Sequence, residues 1–352
     1  MKTGSGWKLA AVWAMIPLLL LTLGCSDAKN KLVTVRIGVA LYQQDDTFIA
    51  TLVQNLEQNA KEEEQARDIK INLNVTDGRG NQASQNEQVD RFLNQGYDVI
   101  CVNIVDRTAA AVIIDKAQAA DVPVIFFNRE PVEEDMVRWE GAYYVGSQAD
   151  QSGMLQGGIV LDAWMNQREA LDQNGDGVLQ YVMLEGEPGH QDALLRTEYS
   201  IKVLTEKGIA TEKLASDTAN WQRGQADAKM AQWLETFGNE IEAVFANNDD
   251  MALGAIDACL DGGMEAKSLP YIVGVDATPP ALEAVREGTL KGTVLNDGAG
   301  QAKVILQLAC ALAAGQDPAT TVELEAGKYV WMPCTAITQQ NLDTFLADSG
   351  EA

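Results

Sequence analysis

Basic residues and histidine are scarce in this chain. Its 352 residues hold 26 Lys and Arg against 51 Asp and Glu, with one histidine, five cysteines and 6% aromatics. A surface carrying a net charge of −25 repels phosphate backbones, so nucleic acid is a poor partner. Cys25, Cys101, Cys259, Cys310 and Cys334 match no zinc spacing. Cys101 lies in the apolar run "VICVNIV" and Cys310 in "LQLACALAA", where a free cysteine behaves as a small core residue, and four buried thiols are expected beyond Cys25. The lone His190 has no Ser or Cys nucleophile motif beside it, which argues against covalent catalysis. There is no G-x-G-x-x-G fingerprint and no P-loop, which argues against dinucleotide and nucleotide chemistry.

Long apolar runs are also missing, with one exception at the start. Lys2 and Lys8 precede "LAAVWAMIPLLLLTLG", a stretch of secretory h-region character, and Cys25 follows it. The sequence "LTLGC" resembles a lipobox, although Thr22 stands where leucine is usual. The expectation is a signal peptide over residues 1–24 and a lipidated tether over 25–32, with Cys25 carrying the lipid and anchoring an exported protein to the membrane surface. Cleavage would remove Lys2 and Lys8 and take the net charge from −25 to −27.

What remains is long enough for two domains, and a hydrophobic fraction of 46% supports their cores. "VTVRIGVALY" (33–42), "IKINLNVTD" (69–77), "DVICVNIVD" (98–106) and "VPVIFFN" (122–128) alternate with helix-like stretches. After "YYVGS" the pattern restarts with "GVLQYVMLEG", "IEAVFANND", "YIVGVD" and "GTVLND". Continuous apolar strands alternating with helices signal parallel sheets covered on both faces. The fold class is therefore α/β, with two doubly wound Rossmann-like domains in series.

Short polar residues gather where these strands end. Asp46, Asn103, Asp106, Asn128, Asn247, Asn248, Asp249, Asp276 and Asn296 all occupy such positions. Each could serve as a helix cap or turn former. In open α/β sheets, however, ligands bind just outside the strand carboxyl ends. Planar groups with two hydrogen-bonding atoms suit the paired hydroxyls of a sugar, and Arg196 adds a rigid donor fork. Phe48 and Trp221 offer flat apolar faces that complement the C–H faces of a pyranose. His190 sits between a strand and a helix starting near Asp192, either as a ligand donor or as a loop residue near a cap. One more pattern stands alone. In "LDQNGDGVLQ" (171–180), Asp172, Asn174 and Asp176 alternate before Gly177, which is the opening half of a calcium loop. Its twelfth position is Met183, so the loop cannot close its own coordination shell.

The segments "LYQQDDTF", "VPVIFFNREP", "AYYVG", "LDQNGDGVLQ", "LEGEPGHQDALLRT", "SDTANW", "FANNDDMALGA", "VGVDATPPAL" and "GTVLNDGAGQAK" resemble, in the same order, the bacterial D-galactose/D-glucose-binding proteins, a family of type I periplasmic binding proteins. The likeness runs from about Val35 to Phe345. It implies two domains joined by a three-segment hinge, near Gly146, Asn296 and Trp331, that close over one hexose. The expected division is 33–146 plus 297–331 for the N-terminal domain, and 147–296 plus 332–352 for the C-terminal domain. By the resemblance, Asp46, Asn128, His190, Asp192, Arg196, Asn248, Asp276 and Asn296 bind the sugar, and Phe48 and Trp221 sandwich it. Asp46 would accept from the 4-hydroxyl of either epimer. Arg129 stands where lysine is common, and Asn103 is expected to support the strand end rather than touch the sugar. The resemblance also supplies the missing calcium ligand. Asp172, Asn174, Asp176, the Val178 carbonyl and Gln180 would be completed by Glu242 from a remote strand, around a structural Ca2+. It further implies no enzymatic activity, a monomer, delivery to an ABC permease and its ATPase, and in some members a chemoreceptor.

Other readings fit the residues less well. A repressor effector domain would need a helix-turn-helix where the signal segment stands. A glycosidase would need one carboxyl of a pair held protonated opposite the other, whereas this set is mainly neutral amides and charge-balanced acids. A sensor presenting hexose to a receptor or kinase remains the alternative to transport.

Overall fold

The computed structural model describes residues 33–349, together with Met1. The expected signal segment, and the tether with Cys25, fall outside the described residues. Among the described residues no helix is long and apolar enough to cross a membrane.

The first lobe is built from β1 (Thr34–Leu41), α1 (Thr47–Arg67), β2 (Lys70–Asp77), α2 (Gln82–Asn94), β3 (Val99–Val102), α3 (Ala110–Ala120), β4 (Val124–Phe127), α4 (Glu133–Met136) and β5 (Ala142–Ser147). The second lobe follows with α5 (Ala149–Asn166), β6 (Val178–Glu185), α6 (Gln191–Glu206), β7 (Ala210–Thr218), α7 (Arg223–Phe237), β8 (Ala243–Ala246), α8 (Asp249–Asp261), β9 (Tyr271–Val273), α9 (Pro279–Glu287) and β10 (Gly292–Asn296). The chain then returns to the first lobe for α10 (Gly298–Ala313) and β11 (Tyr329–Met332), and ends in the second with β12 (Cys334–Thr338) and α11 (Leu342–Ser349).

Each lobe carries a six-stranded sheet, ordered β11-β5-β4-β3-β1-β2 and β12-β10-β9-β8-β6-β7. The central strands read "VICV", "VIFF" and "AVFA" and are buried throughout, because helices cover both faces of a parallel sheet. Two apolar clusters flank the first sheet, one around Leu52 and Ile305 and one around Ile113 and Phe126. Two more flank the second, around Met230 and Ile256 and around Trp164 and Met183.

The chain crosses between lobes at Gln148, Asp297 and Pro333, each within two residues of a strand end. Met332 pairs with Ser147 in the first sheet, so this lobe extends one residue beyond 146 and 331. Three strands, β7, β11 and β12, lie outside those read from the sequence. β7 was not foreseen, because its mixed residues "ATEKLASDT" form a half-exposed edge. β12 runs antiparallel to β10, an orientation set by the last crossing rather than by local pattern. Cys101, Cys259 and Cys310 are free and buried as expected, but Cys334 is only half-buried, because it opens β12 beside the crossing at Gln148.

Candidate functional site

The strand ends of both lobes converge on one small cavity. All ten residues singled out for the sugar line it, with Tyr42 and Arg129 added.

From the first lobe, Asp46 caps α1, its Oδ1 accepting from the Ile49 N–H at 2.9 Å. Its Oδ2 accepts from the Tyr42 hydroxyl at 2.5 Å. The sequence reading missed Tyr42, because an aromatic after an apolar strand reads as core. Phe48 follows in the first turn, its Cε2 lying 3.2 Å from where a Cβ on Gly298 would stand. Asn128 leaves β4 with φ 60°. The Tyr144 hydroxyl donates to its carbonyl at 2.9 Å. Asn103 donates to its Oδ1 at 3.0 Å, so the Nδ2 amide is what Asn128 has to offer. Asn103 therefore stands behind the cavity wall, and does not line it.

From the second lobe, His190 caps α6, its Nδ1 accepting from the Asp192 N–H at 3.1 Å. That bond makes Nε2 the protonated nitrogen and a donor. His190 is thus both the cap and a cavity residue. Burial, and then the charges of Arg129, Arg196 and Arg107, hold its pKa well below 6.5, so the ring is neutral. Arg196 donates to Asp192 Oδ2 at 2.9 Å and to the Asn247 carbonyl at 2.9 Å, and lies 3.8 Å from Asp276 Oδ1. Its guanidinium balances two acids that burial pushes above the usual carboxylate range. Asn296 donates to Asp276 Oδ1 at 3.2 Å. Asn248 caps α8 with Oδ1 and donates from Nδ2 to the Trp221 carbonyl at 3.2 Å.

The backbone is strained where the cavity needs it. Asn128, Trp221 and Asp276 have φ of 60°, 65° and 125°, a region costly for residues with side chains and concentrated at functional sites. The Trp221 ring meets His190 edge-on at 5.0 Å, and its buried Nε1 has no hydrogen-bond partner. The result is a set of donors and acceptors lining one cavity with the rings of Phe48 and Trp221, which can bind a small polyhydroxylated molecule.

Asp172, Asn174, Asp176, Gln180 and Glu242 also gather around one loop. Gly175 and Gly177 turn the loop with φ of 74° and 84°. Asn174 Nδ2 donates to Asp176 Oδ2 at 3.1 Å and to Gln180 Oε1 at 3.3 Å. Asp172 takes the Gly177 N–H at 3.2 Å and pairs with Arg168 at 2.9 Å. Glu242, just ahead of β8, reaches across to accept from Gln173 N–H at 2.7 Å and Gln180 N–H at 3.1 Å. Burial raises its pKa, partly offset by those amides. Among the described residues no three His, Cys, Asp or Glu side chains alone could hold a metal. A cation here would also need the neutral oxygens of Asn174, Val178 and Gln180. That all-oxygen set fits a hard cation such as calcium.

Comparison with known proteins agrees with the fold. The profile of the periplasmic binding protein domain matches residues 37–317. The D-galactose/methyl-galactoside binding periplasmic protein of Haemophilus influenzae is 41% identical over 313 residues, covering 88% of this chain and 92% of that one. The xylitol-binding protein of Mycolicibacterium smegmatis is 31% identical over 338 residues, covering 96% and 87%. The crystal structure of an ABC transporter solute binding protein from Bacillus halodurans with bound myo-inositol superposes with a TM-score of 0.72 at 30% identity, covering 90% and 97%.

Proposed function

The chain belongs to the periplasmic binding protein family, and on that premise we propose that its ligand is D-galactose or D-glucose. As a family member it is an extracytoplasmic sugar-binding component of an ABC-type importer and not an enzyme. One observation carries the choice of hexose. The ten residues matched to the galactose/glucose motif, drawn from both lobes, line a single small cavity. The name of the 41% identical relative supports the same sugar class.

In this reading Phe48 and Trp221 cover the two faces of the pyranose. Asp46, Asp192 and Asp276 accept from its hydroxyls, while Arg196, His190 Nε2 and the asparagine amides donate. Asp46 has two oxygens to meet an axial or an equatorial 4-hydroxyl, which accommodates both epimers. Binding is coupled to rotation of the lobes about the crossings at Gln148, Asp297 and Pro333, a hinge closure around the ligand. We further propose that Asp172, Asn174, Asp176, Val178, Gln180 and Glu242 hold a structural calcium, which pins the loop to the start of β8. Lipidation at Cys25, a monomeric state and presentation to a chemoreceptor complete the proposal.

The test is isothermal titration of the signal-free protein with D-glucose, D-galactose, D-ribose, D-xylose, xylitol and myo-inositol. Tight one-to-one binding of either hexose, with the others weaker, supports the reading. A folded sample that prefers a pentose or a polyol overturns it.

A further inference from the structure

We infer that Arg129 is a positioning residue that ties closure of the lobes to the orientation of Asp46. Its backbone follows Asn128 directly, and its side chain is 5% exposed. The guanidinium carbon lies 3.4 Å from the centre of the Tyr42 ring. Tyr42, itself buried, donates its hydroxyl to Asp46 Oδ2 at 2.5 Å. On its other side Arg129 forms an ion pair with Glu187 of the second lobe, Nη1 to Oε2 at 2.9 Å. A continuous line thus runs from Glu187 through Arg129 and Tyr42 to a carboxylate of the ligand cavity.

Only the closed arrangement completes this line. Glu187 belongs to the loop between β6 and α6, whereas Arg129, Tyr42 and Asp46 belong to the first lobe. When the lobes part, Arg129 loses its counter-charge but regains water. When they close, it is buried and needs Glu187, because a buried charge without a partner is costly. The pair therefore contributes free energy to the closed state selectively, and a contact made in one state only shifts the equilibrium toward that state. Gln191 joins the same lip, donating to Glu130 Oε2 at 2.6 Å and accepting from Arg107. Those contacts also cross between lobes, but they do not touch Tyr42 or Asp46. Arg129 both clasps the second lobe and holds the ring that bonds Asp46.

Arginine rather than lysine suits this position. A planar guanidinium can stack on Tyr42 and still point one nitrogen at Glu187, while a lysine ammonium is a point charge. Tyr42 and the Ile49 N–H each occupy one lone-pair direction of Asp46, leaving the remainder for the ligand.

The inference rests on the hexose reading for its ligand-facing end, and the experiment separates the two. Dissociation and association rates are measured by stopped-flow tryptophan fluorescence for wild type, Glu187→Gln, Arg129→Lys, Arg129→Met and the Arg129→Met/Glu187→Gln pair. The probes are D-glucose, D-galactose, D-ribose and myo-inositol. Glu187 is about one-third exposed, so Glu187→Gln is expected to fold with an unchanged melting temperature in the absence of sugar. It should speed dissociation by about tenfold with little change in association, since a closed-state contact acts through the off-rate. The double variant should be no worse than Arg129→Met alone, because both remove one interaction. Tyr42→Phe should alter the galactose-to-glucose affinity ratio by about threefold or more while keeping the ion pair. Wild-type dissociation in Glu187→Gln, or losses that add in the double variant, would overturn the inference. If wild type takes only ribose or myo-inositol, the hexose reading falls, and the Arg129–Glu187 comparison on that ligand still decides the coupling. A wild type that binds none of the four overturns both.

Discussion

The indole of Trp221 rests on the backbone of Gly186 so closely that a Cβ at Gly186 would fall 2.1 Å from its Cζ2. Gly186 follows β6 directly, so the strand end itself forms the floor under the ring. Trp221 is fixed from behind, by its own φ of 65° and by Asn248, which donates to its carbonyl. The ring can yield only toward the cavity or by breaking these constraints. Gly186→Ala should therefore push the indole into the ligand space. Overpacking of this kind costs on the order of 1–3 kcal/mol. Sugar affinity should fall by about tenfold or more, read by titration calorimetry. Wild-type affinity in this variant would mean that the ring relaxes without cost.

Trp221→Ala removes the stacking face altogether. A truncated anchor in a desolvated pocket typically loses about 2 kcal/mol or more of binding, close to a factor of thirty. The same change also empties space within an apolar cluster that includes Leu184 and Met251, so melting temperature without sugar must be measured alongside. Loss of affinity at a temperature where the variant is folded assigns the ring to the site. Unchanged affinity removes Trp221 from it.

Much of this architecture was legible because burial on both faces of a parallel sheet forces unbroken apolar strands such as "VICV" and "VIFF". β7 escaped because an edge strand is covered on one side and tolerates Glu212, Lys213 and Asp217. The polar residues at strand ends were legible as a set, since the fold brings strand ends to one edge. Their division of labour was less so. Asn103 and Asn128 look alike as residues, and the family resemblance alone set Asn103 apart as a support for the strand end, where it bonds Asn128 without lining the cavity. His190 could be read as a cap or as a ligand donor, and its two ring nitrogens let it be both. Tyr42 and Arg129 depend on a stacked contact and on a partner from the other lobe, and no local pattern encodes either.

Acid should weaken sugar binding, and through the carboxylates rather than through His190. Burial raises the pKa of Asp46, Asp192 and Asp276 above the ordinary 3.8. These groups serve the ligand as acceptors in their ionised form. Binding then favours the deprotonated site, and affinity is lost as pH falls through the raised values, beginning above 3.8. His190 is depressed below 6.5 by burial and three arginines, so it is already neutral at pH about 7 and adds no step near 6.5. Calorimetry at a series of pH values from about 8 to about 4 should show a flat upper region and a fall below it. A step centred near 6.5 that His190→Gln abolishes would contradict this assignment.

Glu242 gives the most direct test of the metal. Its two oxygens accept the N–H groups of Gln173 and Gln180, so Glu242→Ala would orphan the buried Gln180 amide with or without a cation. Glu242→Gln is the sharper variant, because one oxygen can still accept while the charge is gone. A ligand that binds only the folded state stabilises it by RT ln(1 + [L]/Kd), about 2.7 kcal/mol at a hundred times Kd. Wild type should therefore melt higher in calcium than in chelator, and Glu242→Gln should lose most of that difference while melting near wild type in chelator. Asp172→Asn should behave the same way, with a further loss in both conditions because it releases Arg168. If calcium leaves the wild-type melting temperature unmoved, or if Glu242→Gln is equally impaired with and without it, the loop is an ordinary glycine-rich turn. Glu242 would then serve as a buried acceptor that ties the loop to β8 without a metal.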